Sequence, residues 1–231
     1  MSRSSDSTQG LFFIRATVLA AILLGIVASL SANAGQDKSG LKIAVVNPGR
    51  VLSEFKDAKK ATDVLERMDS EAKVAIRTWQ VYPLLMSADQ DTLVKLIQKE
   101  NTAGAEMTKA EKDQEQKLKT QHDNLVKEYQ DLLGKPNGQT TAQDSARLDA
   151  LTKLKNDTDN RIKAKQTEAG TEISKKQDEF NLKIDKDVRD ALTKVAKDRQ
   201  MNLVFSSQVV LYADVDITDD VIKHLNANAK P

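Results

Sequence analysis

Few residues in this chain are of a type that does covalent chemistry. Its 231 residues include two histidines, His122 and His224, and no cysteine. Neither histidine stands in a His-x-x-x-His or Glu-x-x-His pattern. A zinc site would therefore lack its usual spacing, and without thiols there is no cysteine nucleophile or zinc knuckle. "NPGR", residues 47 to 50, carries a single glycine, too few for a loop that cradles phosphate. Asp and Glu are plentiful, as on any exposed helix, and define no acid/base pair. The residue types predict no enzyme, no metal and no cofactor.

The informative spacing is apolar. Leu151, Ile162, Ile173, Ile184 and Val195 recur every eleven residues in a segment otherwise dominated by charge. Leu154, Lys165, Lys176 and Asp187 form a second line, and Thr158, Ala169, Phe180 and Ala191 a third. Steps of 3, 4 and 4 average about 3.67 residues per turn, which predicts a nearly straight or slightly right-handed helix pair. Leu52, Phe55, Ala58, Leu65, Met68, Ala72 and Ile76 offer a facing seam. Each well-buried Ile or Leu stabilises by roughly 1.5–3 kcal/mol, but the second line is mostly charged, so the seam is thin.

The elements that carry these residues have legible ends. Asn47-Pro48 places a capping residue before proline at a first helical position. Ser87 with Gln90, and Thr108 with Glu111, fit the capping box; Thr141 with Asp144 is a looser version. Pro83, Gly104 and "GKPNG" (134–138) mark stops. Helices are predicted near 48–82, 88–101, 109–133, 142–200 and 219–227. The fourth is about 88 Å long, and the first and third together about 90 Å. That match predicts an antiparallel hairpin turning near 134–140, with the second helix displaced at an elbow near 83–104. Residue 82 is then expected opposite about residue 166, with Gly170 close by. Short apolar runs at 41–47, from Asn202 and from Val209 read as strands.

Composition fits this plan. Charged residues are 30% and aromatics 4%, the balance of long helix rather than sandwich or barrel. The fold class expected is α+β, mostly helical: a small β body (41–47 plus 201–231) and a helical arm (48–200). Residues 1–34 read as a signal peptide, with Arg3 and Arg15, an apolar run from Ala16 to Leu30, and a small-x-small site at Ala32-Asn33-Ala34. Residues 35–40 form a flexible leader. Removing Arg3, Arg15 and Asp6 with that segment takes 35 basic and 34 acidic residues to 33 of each. A neutral chain lacks the basic stripe that nucleic acid requires. Three short strands leave two sheet edges too apolar for water, and closure by further copies of the chain is the simplest remedy.

The stretches "KIAVVNPGRVLSEF", after a signal peptide, and "VRDALTKVAKDRQMNLVFSSQVVLYADVDITDDVIKHLN" resemble the OmpH/Skp-like family of periplasmic chaperones. The resemblance implies a homotrimer with a central β body and three helical hairpin tentacles around a cavity. It implies an ATP-independent holdase that keeps unfolded outer-membrane proteins from aggregating. Ile43, Val45, Val204, Phe205, Val209, Leu211 and Tyr212 would build the trimer body, covered by Ile217, Ile222 and Leu225. The best-known members are markedly basic and this chain is neutral, so membrane-surface or lipopolysaccharide binding is not expected of it.

Trp79, Tyr82, Leu84, Leu85 and Met86 crowd the segment that interrupts the ascending helix. They read either as a packed elbow or as a client-contacting apolar patch. Tyr129, Leu132 and Leu133 either close the hairpin or face clients at the cavity mouth. Lys163, Lys165, Lys175 and Lys176 read as a solvated face with partners such as Asp159, or as a guide for acidic clients. The rival function is a membrane-anchored coiled-coil scaffold of the cell envelope, which requires that residues 1–34 be retained.

Overall fold

The computed structural model describes residues 41–229 except 103, 137 and 211. The expected signal segment, the leader and Leu211 lie outside the described residues. In chain order the elements are β1 (Ile43–Val46), α1 (Pro48–Glu54), α2 (Lys56–Val81), α3 (Ser87–Glu100), α4 (Lys109–Leu133), α5 (Ala142–Asp198), β2 (Leu203–Ser206), β3 (Val215–Asp216) and α6 (Thr218–Asn228). The chain is mostly helical and divides into two compact units. One takes the chain up to Leu65 and from Ser174 onward; the other is Glu66–Ile173. Helices α2 and α5 contribute to both.

The first unit holds a parallel sheet of order β2-β1-β3, with Ile43 opposite Leu203 and Ala44 opposite Val215. Parallel strands need cover, and this sheet gets it from helices. Ala44, Val46 and Val204 share one core with Ile217, Val221, Ile222 and Leu225 of α6 and its approach, and with Ile184, Val188 and Val195 of α5. Asn47 ties the strand to two helices: its side chain accepts the Arg50 N–H at 3.0 Å, and its own N–H donates to Thr218 Oγ1 at 2.8 Å.

Two expectations are corrected here. The third strand does not begin at Val209. Residues 207–209 form a turn, Val209 and Tyr212 lie exposed outside any strand, and β3 is the later pair Val215–Asp216. The ladder forms where it lets the next residue, Ile217, donate its N–H to Val45 O at 2.9 Å and bury its side chain completely. The first helix is also not continuous over 48–82. It breaks at Phe55, whose extended backbone drops a fully buried ring into the core. Asn226 of α6 satisfies both broken ends, accepting the Lys56 N–H at 2.9 Å and donating to Glu54 O at 3.0 Å.

In the second unit the ascending path folds back on itself. Gln98 donates to Glu71 O and Gln90 to Tyr82 O, so α3 runs antiparallel to α2. Lys99 pairs with Glu111 and Gln121 bonds Asp89, so α4 runs antiparallel to α3. Residue 82 therefore does not face residue 166: Thr158 bonds the Pro83 carbonyl at 3.0 Å, and nothing outside its own helix comes within 4 Å of a Cβ placed at Gly170. End-to-end counting failed because α4 begins beside α3 instead of continuing α2. The eleven-residue series behaves as its spacing predicts. Leu151, Ile162, Ile173, Ile184 and Val195 are all buried, while Lys165, Lys176 and Asp187 are half-buried.

Candidate functional site

The elbow of the second unit concentrates the structure's buried polar chemistry. Helix α2 ends at Val81, and the carbonyls of Tyr82 and Pro83 just past it lie outside the helical ladder. Two side chains take them. Gln90, fully buried, donates from Nε2 to Tyr82 O at 3.0 Å and to Thr158 Oγ1 at 2.9 Å; Thr158 donates onward to Pro83 O. Arg161 closes the network, giving one nitrogen to Gln90 Oε1 at 2.6 Å and another to Asp91 at 2.7 Å. Its guanidinium lies 4.2 Å from the Trp79 ring centre, a cation–π contact.

The capping box expected at Ser87 does not form. Met86 precedes the helix without a side-chain cap, and the Gln90 Oε1 that would accept the Ser87 N–H takes its hydrogen bond from Arg161 instead. The other two boxes do form. Glu111 and Thr108 bond reciprocally, and the Lys99 ammonium, followed by those Thr108 contacts, holds the Glu111 carboxyl at about 2. At the turn before α5, Lys135 and then Thr141 hold Asp144 at about 2 in the same way.

Around the network the apolar side chains sort into two clusters. Trp79 packs with Ala75, Val94 and Ile162; Leu85 packs with Leu93, Leu118 and the half-buried Tyr82, Ile97 and Leu125. Leu84 is buried too, while Met86 is 63% exposed. Near the tip Tyr129 and Leu132 are half-buried and Leu133 is 58% exposed. Arg147 grips Glu128 through two nitrogens at 2.7 Å and fixes α5 against α4 there. The lysine rows find other partners than expected: Lys165 pairs with Glu168 and Lys176 with Glu179, while Asp159 serves Lys155. In the first unit Val45 and Val204 are buried, Phe205 is half-buried, and Ile43 lies at the surface.

Sequence reasoning missed Arg161 and Asn226, and it gave Gln90 and Thr158 other roles, a capping box and a seam position. The only signal for them was polar residues at helical positions where apolar ones were due, such as Thr158 in the third line of the repeat. Among the described residues no group of three or more His, Asp or Glu is placed to hold a metal ion, and no helix is long and apolar enough to cross a membrane. A shallow groove along α4 sets Asp113, Lys117 and Glu128 beside Gln121 and Leu125, and Glu128 is held by Arg147. What the arrangement can do is hold helices in register and offer a few apolar side chains to a partner.

The family model described as outer membrane protein (OmpH-like) matches residues 86–225, well over half of the chain. That range covers α3, α4, α5, β2, β3 and most of α6. No curated protein and no solved structure shows significant similarity to the chain.

Proposed function

The chain belongs to the OmpH-like family, which is of periplasmic chaperone type, and from that premise we propose that it is an ATP-independent holdase for unfolded outer-membrane proteins. The family match over helices and C-terminal strands carries this reading. In the proposed assembly three copies meet through the sheet unit, and the helical hairpins enclose a cavity. Among the described residues β2 and β3 have no strand beyond them, and Ile43, Val209 and Tyr212 are exposed beside them, a surface that further copies would cover. Clients would bind by many weak contacts in one enclosed space, where effective concentration substitutes for affinity at any single site. Met86 and Leu133 are presented to solvent for such contact as they stand. Trp79, Leu84 and Leu85 would join only if the elbow opened. Export to the periplasm rests on residues 1–34, and no membrane-surface partner is proposed because the remaining chain is neutral.

The test is to dilute a urea-unfolded outer-membrane β-barrel protein into buffer with and without the purified chain, following light scattering, and to measure the chain's mass in solution. Suppressed scattering by a species of three chains is the expected outcome. Unchanged scattering at several-fold molar excess rejects the holdase, and a monomer at micromolar concentration rejects the shared cavity.

A further inference from the structure

His122 stands out once the elbow is assembled. It sits on α4 four residues after Leu118 and three before Leu125, on the face that packs into the Leu85 cluster. The side chain is buried, and Tyr82, just past the end of α2, meets its ring T-shaped at 5.1 Å between centres. Its Nε2 is enclosed and has no hydrogen-bond partner. Either neutral tautomer leaves that nitrogen unmatched, at modest cost. A proton there creates a charged N–H with no acceptor, which is far more costly in apolar surroundings.

The charged neighbours do not rescue it. Asp123 on the same helix is 3.8 Å from Nδ1, beyond hydrogen-bond reach, and its carboxylate is largely in solvent. Glu115, one turn before Leu118, is committed to Lys119. From α3, Asp89 accepts from Gln121, and Lys99 pairs with Glu111. Tyr82 is the titratable group facing it from the α2 side.

We propose that His122 is a proton-operated latch on the elbow: neutral, it seats α4 against Tyr82 and the α3 helix; protonated, it releases that contact. Burial outweighs the opposing pull of Asp123 and pushes the imidazole below its ordinary value. The sign follows. Above about pH 6.5 the ring is neutral whether the elbow is closed or open, and the latch holds. As pH falls below that value the open form takes up a proton that the closed form resists. The opening equilibrium then rises up to about tenfold per pH unit. A chain exposed to external acid would loosen at this elbow before its carboxylates titrate.

The experiment is hydrogen exchange on the whole chain at pH 7.5 and 5.5, corrected for the intrinsic pH dependence of exchange and read over residues 82–93 and 115–125. Opening of these segments should rise, by at most about tenfold, in the wild type and in His224→Gln, and stay flat in His122→Phe, which keeps a ring and takes no proton. A rise of the same size in His122→Phe, or none in the wild type, overturns the latch. Should His122→Phe fail to fold, the ring-proton titration of the wild type decides. A His122 midpoint below the ordinary imidazole value of about 6.5 supports the proposal, and one equal or higher overturns it.

Discussion

Replacing Gln90 with leucine tests whether the buried network, rather than the apolar clusters beside it, holds the elbow. Leucine nearly matches the side chain in size, so the change removes hydrogen bonds and leaves little cavity. Three are lost: the donations to Tyr82 O and Thr158 Oγ1, and the acceptance from Arg161. At about 1 kcal/mol for each neutral bond and about 1.5 kcal/mol for the charge-assisted one, the expected cost is about 3.5 kcal/mol. Thr158 keeps its bond to Pro83 O and Arg161 its bond to Asp91, so the loss should not climb much higher. Trp79 is the chain's single tryptophan and lies under Arg161, so its emission during urea unfolding reports this region alone. The Trp79 transition should move by about 3.5 kcal/mol. Thr158→Val in the same background should cost less than it does in the wild type, with a coupling near 1 kcal/mol. A Gln90→Leu loss under about 0.5 kcal/mol, or strictly additive single losses, would falsify the claim that the network is the clamp.

Other perturbations separate the remaining ideas. Asn226→Ala removes both bonds at the α1–α2 break and should destabilise the sheet unit by about 1–2 kcal/mol in circular dichroism, with the Trp79 transition unmoved. Ile184→Ala, in the buried line of α5, should cost about 2–5 kcal/mol, whereas Leu182→Ala, 74% exposed two residues earlier, should stay within about 0.5 kcal/mol. Glu111 and Asp144 are held at about 2, below their unfolded values, so their contribution is full above about pH 4.5 and fades as pH falls toward 2. Carboxyl titration by NMR should place both midpoints near 2, and Lys99→Met should raise that of Glu111 alone.

Much of this architecture is local and was therefore readable along the chain. The eleven-residue spacing fixes which face of α5 is buried, because 3.67 residues per turn is a property of one helix. The capping boxes at Thr108 and Thr141 close within four residues and need nothing from elsewhere. The C-terminal motif led to the family for the same reason. Tertiary structure decided what depends on residues distant in sequence. Phe55 breaks a helix that has no breaker in its sequence, since Asn226, some 170 residues on, supplies the lost partners. Ser87 loses its capping box because Arg161, 71 residues past Gln90, takes the Oε1 that the box would use. The third strand falls at Val215 and not at Val209 because only there does Ile217 reach the core. In each case a backbone or amide group had two possible partners of similar local merit. Burial chose between them, because an unsatisfied polar group inside the fold costs more than any local preference returns.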